Sequence, residues 1–76
     1  MNAEQIEETV RELLLSHCQP PARADAPLEL SSLSLVALAE ELEQEFGFVV
    51  AARELLPENF ATLEKIVAYV ARRRSA

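Results

Sequence analysis

Ser32 is the side chain of this sequence best placed to take part in a reaction, because it stands where an apolar loop turns into a strongly patterned helix. Residues 28–36 read Leu-Glu-Leu-Ser-Ser-Leu-Ser-Leu-Val, and residues 37–47 carry four glutamates among apolar residues. A hydroxyl at a helix start is a nucleophile that a partner enzyme can modify, and free N–H groups there stabilise an added anion. On capping preferences alone the same position is an ordinary N-cap, a role that Ser31 or Ser32 could fill.

The other reactive side chains form no catalytic or metal-binding pattern. Cys18 is the single cysteine, and no neighbour in the sequence would activate its thiol, so we expect a semi-buried loop residue. His17 has no metal-ligand companion at suitable spacing. The glutamates of residues 40–45 lack the histidine or second acidic helix of a carboxylate metal site. Because no nucleophile–base pair or phosphate loop is evident, we expect neither catalytic residues nor a metal, and a protein that is not an enzyme.

Apolar residues at helical spacing predict the first two long elements. The first helix covers about residues 3–17, with Asn2 as its N-cap, and a pair of prolines follows it. Residues 18–31 form a long loop, and the second helix covers about 32–46, closed by Gly47 in the left-handed conformation. The predicted inward-facing residues are Ile6, Val10, Leu13, Leu14 and His17 in the first helix, and Leu35, Leu38, Ala39, Leu42 and Phe46 in the second.

The remainder of the chain predicts a short helix and a last long one. The short helix covers about residues 52–56 and stops near Pro57, and the last covers about 62–73, capped by Thr62. Three longer helices and one short helix must bury their apolar faces against each other. The predicted fold is therefore all-α, a small antiparallel four-helix bundle with a long loop after the first helix. The inward-facing residues of the last helix are Leu63, Ile66, Val67 and Val70, with Tyr69 at the margin.

Two segments between and after these helices have weaker patterns. Residues 48–50 are apolar, but no second strand is available to pair with them, so we expect a buried connector. The three arginines of residues 72–74 lie in the final turn, where they suit the helix dipole, and we expect a frayed, solvated tail.

Length and charge limit the possible partners. The chain has 76 residues, enough for one small domain over 1–76, and a net charge of −6. No Lys or Arg occurs between Ala24 and Ala52, so nucleic acid is a poor partner, whereas a basic protein surface would be attracted. No apolar run is long enough to span a bilayer, and the charges within residues 1–19 argue against a secretory signal. We expect a cytoplasmic monomer without a membrane partner.

The region around Ser32 resembles the acyl and peptidyl carrier protein family, in which the signature Leu-Gly-x-Asp-Ser-Leu opens a helix. Leu28, Ser32 and Leu33 match that signature, whereas Glu29 replaces its Gly and Ser31 its Asp. The similarity continues without a gap through the second helix, and residues near the C-terminus look like the family's last helix. The further matching positions are Val36, Leu38, Leu42, Glu43, Glu45 and Phe46, and then Phe60, Thr62, Ile66, Tyr69 and Val70.

This resemblance implies a covalent carrier. A phosphopantetheinyl transferase would use the Ser32 hydroxyl as the nucleophile on the pyrophosphate of coenzyme A, leaving a 4′-phosphopantetheine arm on Ser32. The arm's thiol would hold acyl or aminoacyl groups as thioesters. The implied partners are a loading enzyme (an acyltransferase or an adenylating ligase) and downstream synthase or transferase enzymes.

The resemblance also implies a pathway and a partner surface. Residues 56–62 look more like carriers of polyketide, nonribosomal peptide or related biosynthesis than like the fatty acid synthesis carrier. The alternative that remains open is an unmodified helical interaction module that docks through its acidic second helix. The residues expected to face partners are Leu33, Val36, Glu40, Glu41 and Glu43.

Overall fold

The first helix, α1, spans Ala3–Leu14 in the computed structural model, which describes residues 1–75. It begins with a capping box, since Asn2 Oδ1 accepts from the Gln5 N–H and Gln5 Oε1 accepts from the Asn2 N–H, each at 2.9 Å. The helix ends earlier than the predicted residue 17. After Leu14 the chain tightens into turns, and the His17 N–H donates to the Leu14 carbonyl at 2.9 Å. Tighter turns of this 3-10 kind are frequent at the C-termini of α-helices.

The second helix, α2, spans Ser32–Phe46 and ends at Gly47, whose φ of 75° lies in the left-handed region. The Gly47 N–H donates to the Glu43 carbonyl at 2.9 Å, which satisfies one of the last carbonyls of the helix. A residue with a Cβ would be strained at this φ, so the single glycine of the chain occupies the one described position that requires it.

The segment after α2 differs from the prediction of one short helix over 52–56. A 3-10 helix spans Ala52–Glu54, and a separate four-residue helix, α3, spans Pro57–Phe60. Pro57 begins α3 rather than ending a helix. The N–H of the first helical residue has no acceptor within the helix, so proline, which lacks that N–H, is tolerated at this position. The last helix, α4, spans Leu63–Ser75, and Thr62 Oγ1 accepts from the Lys65 N–H at 3.1 Å as expected of its cap.

One apolar cluster joins the four helices, which confirms the all-α bundle. Tyr69 was expected at its margin but is only 1 % exposed and lies in the core, edge-on to Phe48 and tilted against Phe60. The large ring is accommodated because its hydroxyl reaches the Glu54 carboxylate at 3.1 Å, so the polar atom is satisfied. The fully buried members of the cluster are Val10 and Leu14 of α1, Leu38 and Leu42 of α2, and Leu63, Ile66 and Val70 of α4.

The long loop is anchored to the start of α4 near its far end. The Leu28 N–H donates to the Ala61 carbonyl at 2.8 Å, and the Glu64 N–H donates to the Ala24 carbonyl at 2.9 Å. These two bonds fix the loop shortly before it enters α2. Within the described residues, every helix is too short or too polar to span a bilayer.

The connector after α2 is held by side chains of α4, and here two expectations were wrong. Val49 is 71 % exposed, although Phe48 and Val50 on either side are half-buried, so the connector alternates instead of being buried throughout. Arg73 is anchored rather than frayed. Its Nη2 donates to the Val49 carbonyl at 2.6 Å, its Nε lies 3.4 Å from Glu54 Oε2, and its guanidinium covers the Phe48 ring at 5.5 Å.

The Glu54 carboxylate gives this anchor a pH dependence. The Ala51 N–H, which donates to Glu54 Oε1 at 3.1 Å, is the largest cause that lowers the pKa of Glu54 from its ordinary value of 4.5, and the Tyr69 hydroxyl and the Arg73 charge add to it. Because the folded state favours the ionised form of Glu54, the contribution of this carboxylate to stability is present above its ordinary pKa. That contribution is lost as the pH falls through the lower pKa that Glu54 has in the folded state.

We therefore expect wild-type protein to be more stable than Glu54→Gln near neutral pH, with the difference shrinking in acid. Urea midpoints measured from about pH 6 to about pH 3 would show it. Glutamine keeps an oxygen that can accept from Ala51, so the comparison isolates the charge. A difference that stays constant across this range would contradict the assigned cause.

Candidate functional site

The hydroxyls of Ser31 and Ser32 have different roles at the start of α2. Ser31 is the N-cap, and its Oγ accepts from the Ser34 N–H at 3.0 Å. Ser32 is the first helical residue and is exposed. Within residues 1–75, no group forms a hydrogen bond with the Ser32 hydroxyl. The sequence left open which serine caps the helix, and the structure assigns that role to Ser31.

The backbone around Ser32 suits an anion. The N–H groups of Ser32 and Leu33 have no acceptor in the described part of the chain, as expected of the first helical positions. They point out of the positive end of a 15-residue helix dipole, and no acidic side chain lies in the first turn to oppose an added negative charge. A phosphate ester on the Ser32 oxygen would therefore be stabilised electrostatically where it formed.

An exposed face of α2 continues from Ser32. Leu33 is 82 % exposed and Val36 is 45 % exposed, and Glu40 one turn further on is also exposed. These three residues are separated by three and then four positions, so they share one side of the helix. The structure thus brings together three of the five residues that the sequence placed on a partner-facing surface.

The other two predicted partner-facing residues are engaged within the molecule. Glu41 lies beside the end of α1, where His17 Nε2 is 3.1 and 3.2 Å from its two carboxylate oxygens. Glu43 Oε2 accepts from the Val50 N–H at 2.7 Å and is half-buried. Sequence periodicity separates inward from outward positions, but it cannot show that an acid at the boundary reaches a backbone group of a later segment.

An open apolar groove near the start of α2 was not foreseen from the sequence. Its volume is about 360 Å³, and it forms where the loop before Ser32 and the first turns of α2 meet α3. No local pattern predicted it, because its walls come from three separate segments. The lining residues are Leu28, Leu30, Leu35, Leu55, Leu56, Pro57, Phe60 and Ala61.

Cys18 lies by a second depression, of about 380 Å³, between the loop residues 18–21 and 26–29. Burial raises the pKa of its thiol, so the neutral form is favoured and nucleophilic reactivity is reduced. This agrees with the sequence-based expectation of a semi-buried, unactivated cysteine.

Comparison with known protein families gave a match. The family described as phosphopantetheine attachment site matches residues 4–70, which is most of the chain. This protein therefore belongs to that family of acyl and peptidyl carrier domains. Comparison with curated proteins gave no match, and neither did comparison with solved structures.

Membership of this family defines a class of function. The chain is a carrier that bears covalent 4′-phosphopantetheine, and such carriers are non-catalytic substrates of a phosphopantetheinyl transferase. The surroundings of Ser32 fit the group: within residues 1–75 its exposed hydroxyl makes no hydrogen bond, and the unpaired N–H groups of Ser32 and Leu33 can donate to the oxygens of a phosphate ester. When bound, the group supplies a thiol on a flexible arm that carries acyl cargo as a thioester.

Proposed function

We propose that Ser32 is the attachment residue and that this carrier presents acyl or aminoacyl intermediates in polyketide, nonribosomal peptide or related biosynthesis. The proposed attachment at Ser32 rests on the difference between the Ser31 and Ser32 hydroxyls. The Ser31 hydroxyl already accepts a hydrogen bond in the cap, whereas the Ser32 hydroxyl is exposed and unbonded among the described residues. The similarity of residues 56–62 to carriers of specialised metabolism supports the second part.

The attachment reaction is a phosphoryl-type transfer to the Ser32 oxygen. Ser32 Oγ forms a bond to the pantetheine-side phosphorus of coenzyme A, the P–O bond of the pyrophosphate breaks, and adenosine 3′,5′-bisphosphate leaves. The hydroxyl proton passes to a base of the transferase. This chain contributes the nucleophile, its exposed position, and the N–H groups of Ser32 and Leu33 that stabilise the phosphodiester.

The proposed partner surface is the exposed side of α2, with Leu33, Val36 and Glu40 at its centre and Glu41 and Glu43 at its edges. A loading acyltransferase or adenylating ligase and a downstream synthase or transferase would each meet this surface in turn. Tethering raises the effective concentration of the cargo at every partner active site, which is the physical benefit of a separate carrier. The lone cysteine supports a reducing cytoplasm as the working compartment, and we propose that the carrier acts there as a monomer.

Intact mass spectrometry tests the attachment. The purified chain is incubated with coenzyme A, Mg²⁺ and a broad-specificity phosphopantetheinyl transferase, and we expect a mass gain of one phosphopantetheine, mapped to Ser32 by peptide fragmentation. No gain with several transferases would instead favour an unmodified docking module.

The cargo is tested on the modified protein. Aminoacylation by an adenylating ligase encoded near this carrier would indicate nonribosomal peptide chemistry. Acylation by a neighbouring acyltransferase, followed by extension with a ketosynthase, would indicate a polyketide. Loading only by a fatty acid synthesis enzyme would contradict the proposed pathway.

A further inference from the structure

We propose that residues 48–59 form a strap that opens as a unit while α1, α2 and α4 stay packed, and that Arg72 and Arg73 latch it to α4. The strap comprises the connector after α2, the 3-10 helix and the first three residues of α3. Its opening displaces one wall of the apolar groove, because residues 55–57 line that groove. The strap is a property of the fold and is independent of attachment at Ser32.

Apolar burial holds the strap less firmly than it holds the long helices. All of residues 47–59 are described, and none of them is buried, whereas α1, α2 and α4 each contribute at least three buried side chains to the core. The 3-10 helix and α3, with three and four residues, are also too short to be stable by themselves. A segment with few buried apolar contacts opens at a lower free-energy cost than the whole domain unfolds.

Polar contacts with α4 hold the strap in place. Arg73 Nη2 donates to the Val49 carbonyl at 2.6 Å, and Arg73 Nε lies 3.4 Å from Glu54 Oε2. Arg72 Nη2 donates to Asn59 Oδ1 at 3.0 Å, so the two arginines reach opposite ends of the strap. Hydrogen bonds from charged donors are stronger than neutral ones, so loss of either guanidinium should raise the population of the open strap.

The strap is also joined internally, which favours movement as one piece. Asn59 Nδ2 donates to the Glu54 carbonyl at 2.9 Å and so ties α3 to the 3-10 helix. The Ala51 N–H donates to Glu54 Oε1 at 3.1 Å and ties the 3-10 helix to the connector. Gly47, which closes α2, and Phe60, whose side chain is buried in the core, lie at the two ends and are the expected hinge positions.

The opposite wall of the groove is held by other contacts. Leu28 and Leu30 belong to the loop before α2, and Leu35 belongs to α2 itself. The Leu28 N–H donates to the Ala61 carbonyl at 2.8 Å, beyond the end of the strap. Opening therefore leaves this wall in place and exposes the side chain of Leu55, which is half-buried when the strap is closed.

Native-state hydrogen exchange of the unmodified chain, resolved by residue in low concentrations of urea, tests the strap. The reporters are the Val50 and Leu55 amides, both hydrogen-bonded in the closed strap, and the core amides of Leu38 and Ile66. In the wild-type chain the strap amides should exchange faster and with a weaker urea dependence, because the open strap exposes less surface than the unfolded chain. Equal rates and equal urea dependence in the two sets would overturn the proposal.

Substitutions separate the contacts that opening breaks from those that it keeps. Arg73→Met removes a contact of the closed strap only, so it should speed exchange of strap and core amides alike, by about tenfold. Arg72→Met should act in the same way by about threefold. Val10→Ala weakens packing that persists in the open state, so it should speed the core amides alone. Arg74→Met, the same change at an exposed residue of the same turn, should alter neither set.

Two outcomes of these substitutions would refute the strap. If Val10→Ala speeds the strap amides as much as the core amides, residues 48–59 open only when the whole domain unfolds. If Arg73→Met changes exchange no more than Arg74→Met does, the guanidinium of Arg73 is not a latch.

Thiol labelling tests the movement of the groove wall. In a Cys18→Ser background, Leu55→Cys provides a single, half-buried thiol on the strap, and a bulky maleimide should reach it mainly through the open state. Arg73→Met should raise the labelling rate at least about threefold, whereas Val10→Ala should leave it unchanged. An unchanged rate in Arg73→Met would show that this wall of the groove stays in place when the latch is removed, which would overturn the proposed movement.

Discussion

Ser32→Ala is expected to abolish phosphopantetheine uptake completely under conditions that convert the wild-type chain in full. The attachment forms a covalent bond to one oxygen atom, and removing that atom leaves no alternative nucleophile at the same position. The neighbouring Ser31 hydroxyl accepts a hydrogen bond from the Ser34 N–H at 3.0 Å and is turned toward the helix start. Intact mass and peptide mapping after transferase treatment measure the outcome directly.

The matched controls are the two other serines of the segment. Ser31→Ala and Ser34→Ala should both gain one phosphopantetheine, because neither removes the Ser32 oxygen. Ser31→Ala also removes the N-cap and should destabilise the fold by about 1 kcal/mol, visible as a lower urea midpoint. Uptake by Ser32→Ala, or its loss in Ser34→Ala while the fold is intact, would show that the attachment has been assigned to the wrong hydroxyl.

Leu42→Ala is expected to be among the most damaging single changes to stability. Leu42 is fully buried in the cluster that joins α2 to the other helices, and truncating such a leucine costs about 2–5 kcal/mol. A chain of 76 residues has a total stability of roughly 4–11 kcal/mol, so the variant would lose a large part of it. Urea denaturation followed by circular dichroism would show the shift.

Leu33→Ala is the control, since it makes the same chemical change on the same helix. Leu33 is 82 % exposed, so its truncation should alter the free energy of unfolding by less than about 0.5 kcal/mol. The two substitutions are therefore expected to affect different properties. Leu42→Ala should lower the stability of the fold, whereas Leu33→Ala should weaken binding of partner enzymes. Equal losses of unfolding free energy in both variants would mean that Leu33 packs within the fold and is not available to a partner.

The amphipathic patterns were sufficient to predict the bundle and most of its core. Val10, Leu38 and Ile66 lie at repeated spacings of three and four within their helices, and all are fully buried. Two core aromatic residues were missed: Tyr69 was placed only at the margin of the last helix, and Phe60 was not predicted to be buried. The structure buries the Tyr69 ring by giving its hydroxyl a partner, Glu54, which is distant in sequence and could not be inferred from the pattern of α4.

The region after α2 was the least predictable. Pro57 was expected to end a helix, yet it begins α3, since proline is acceptable at a first helical position and unfavourable only further in. Arg73 was expected to be solvated, yet it fixes the connector through the Val49 carbonyl. Both outcomes depend on where a short segment meets α4, and this segment has too few residues for periodicity to orient it.

Local sequence accounts for a serine cap and a first helical serine at residues 31 and 32, since these features depend on hydrogen bonds that span at most four positions, but only the structure shows that Ser31 is the cap. Helix packing, in contrast, decides which acids of α2 remain available to a partner. Glu43 reaches Val50 seven positions away, and His17 reaches Glu41 across 24. Contacts at such separations form only when helices pack, so the charge of a residue can be read from the sequence, whereas its freedom to meet another protein cannot.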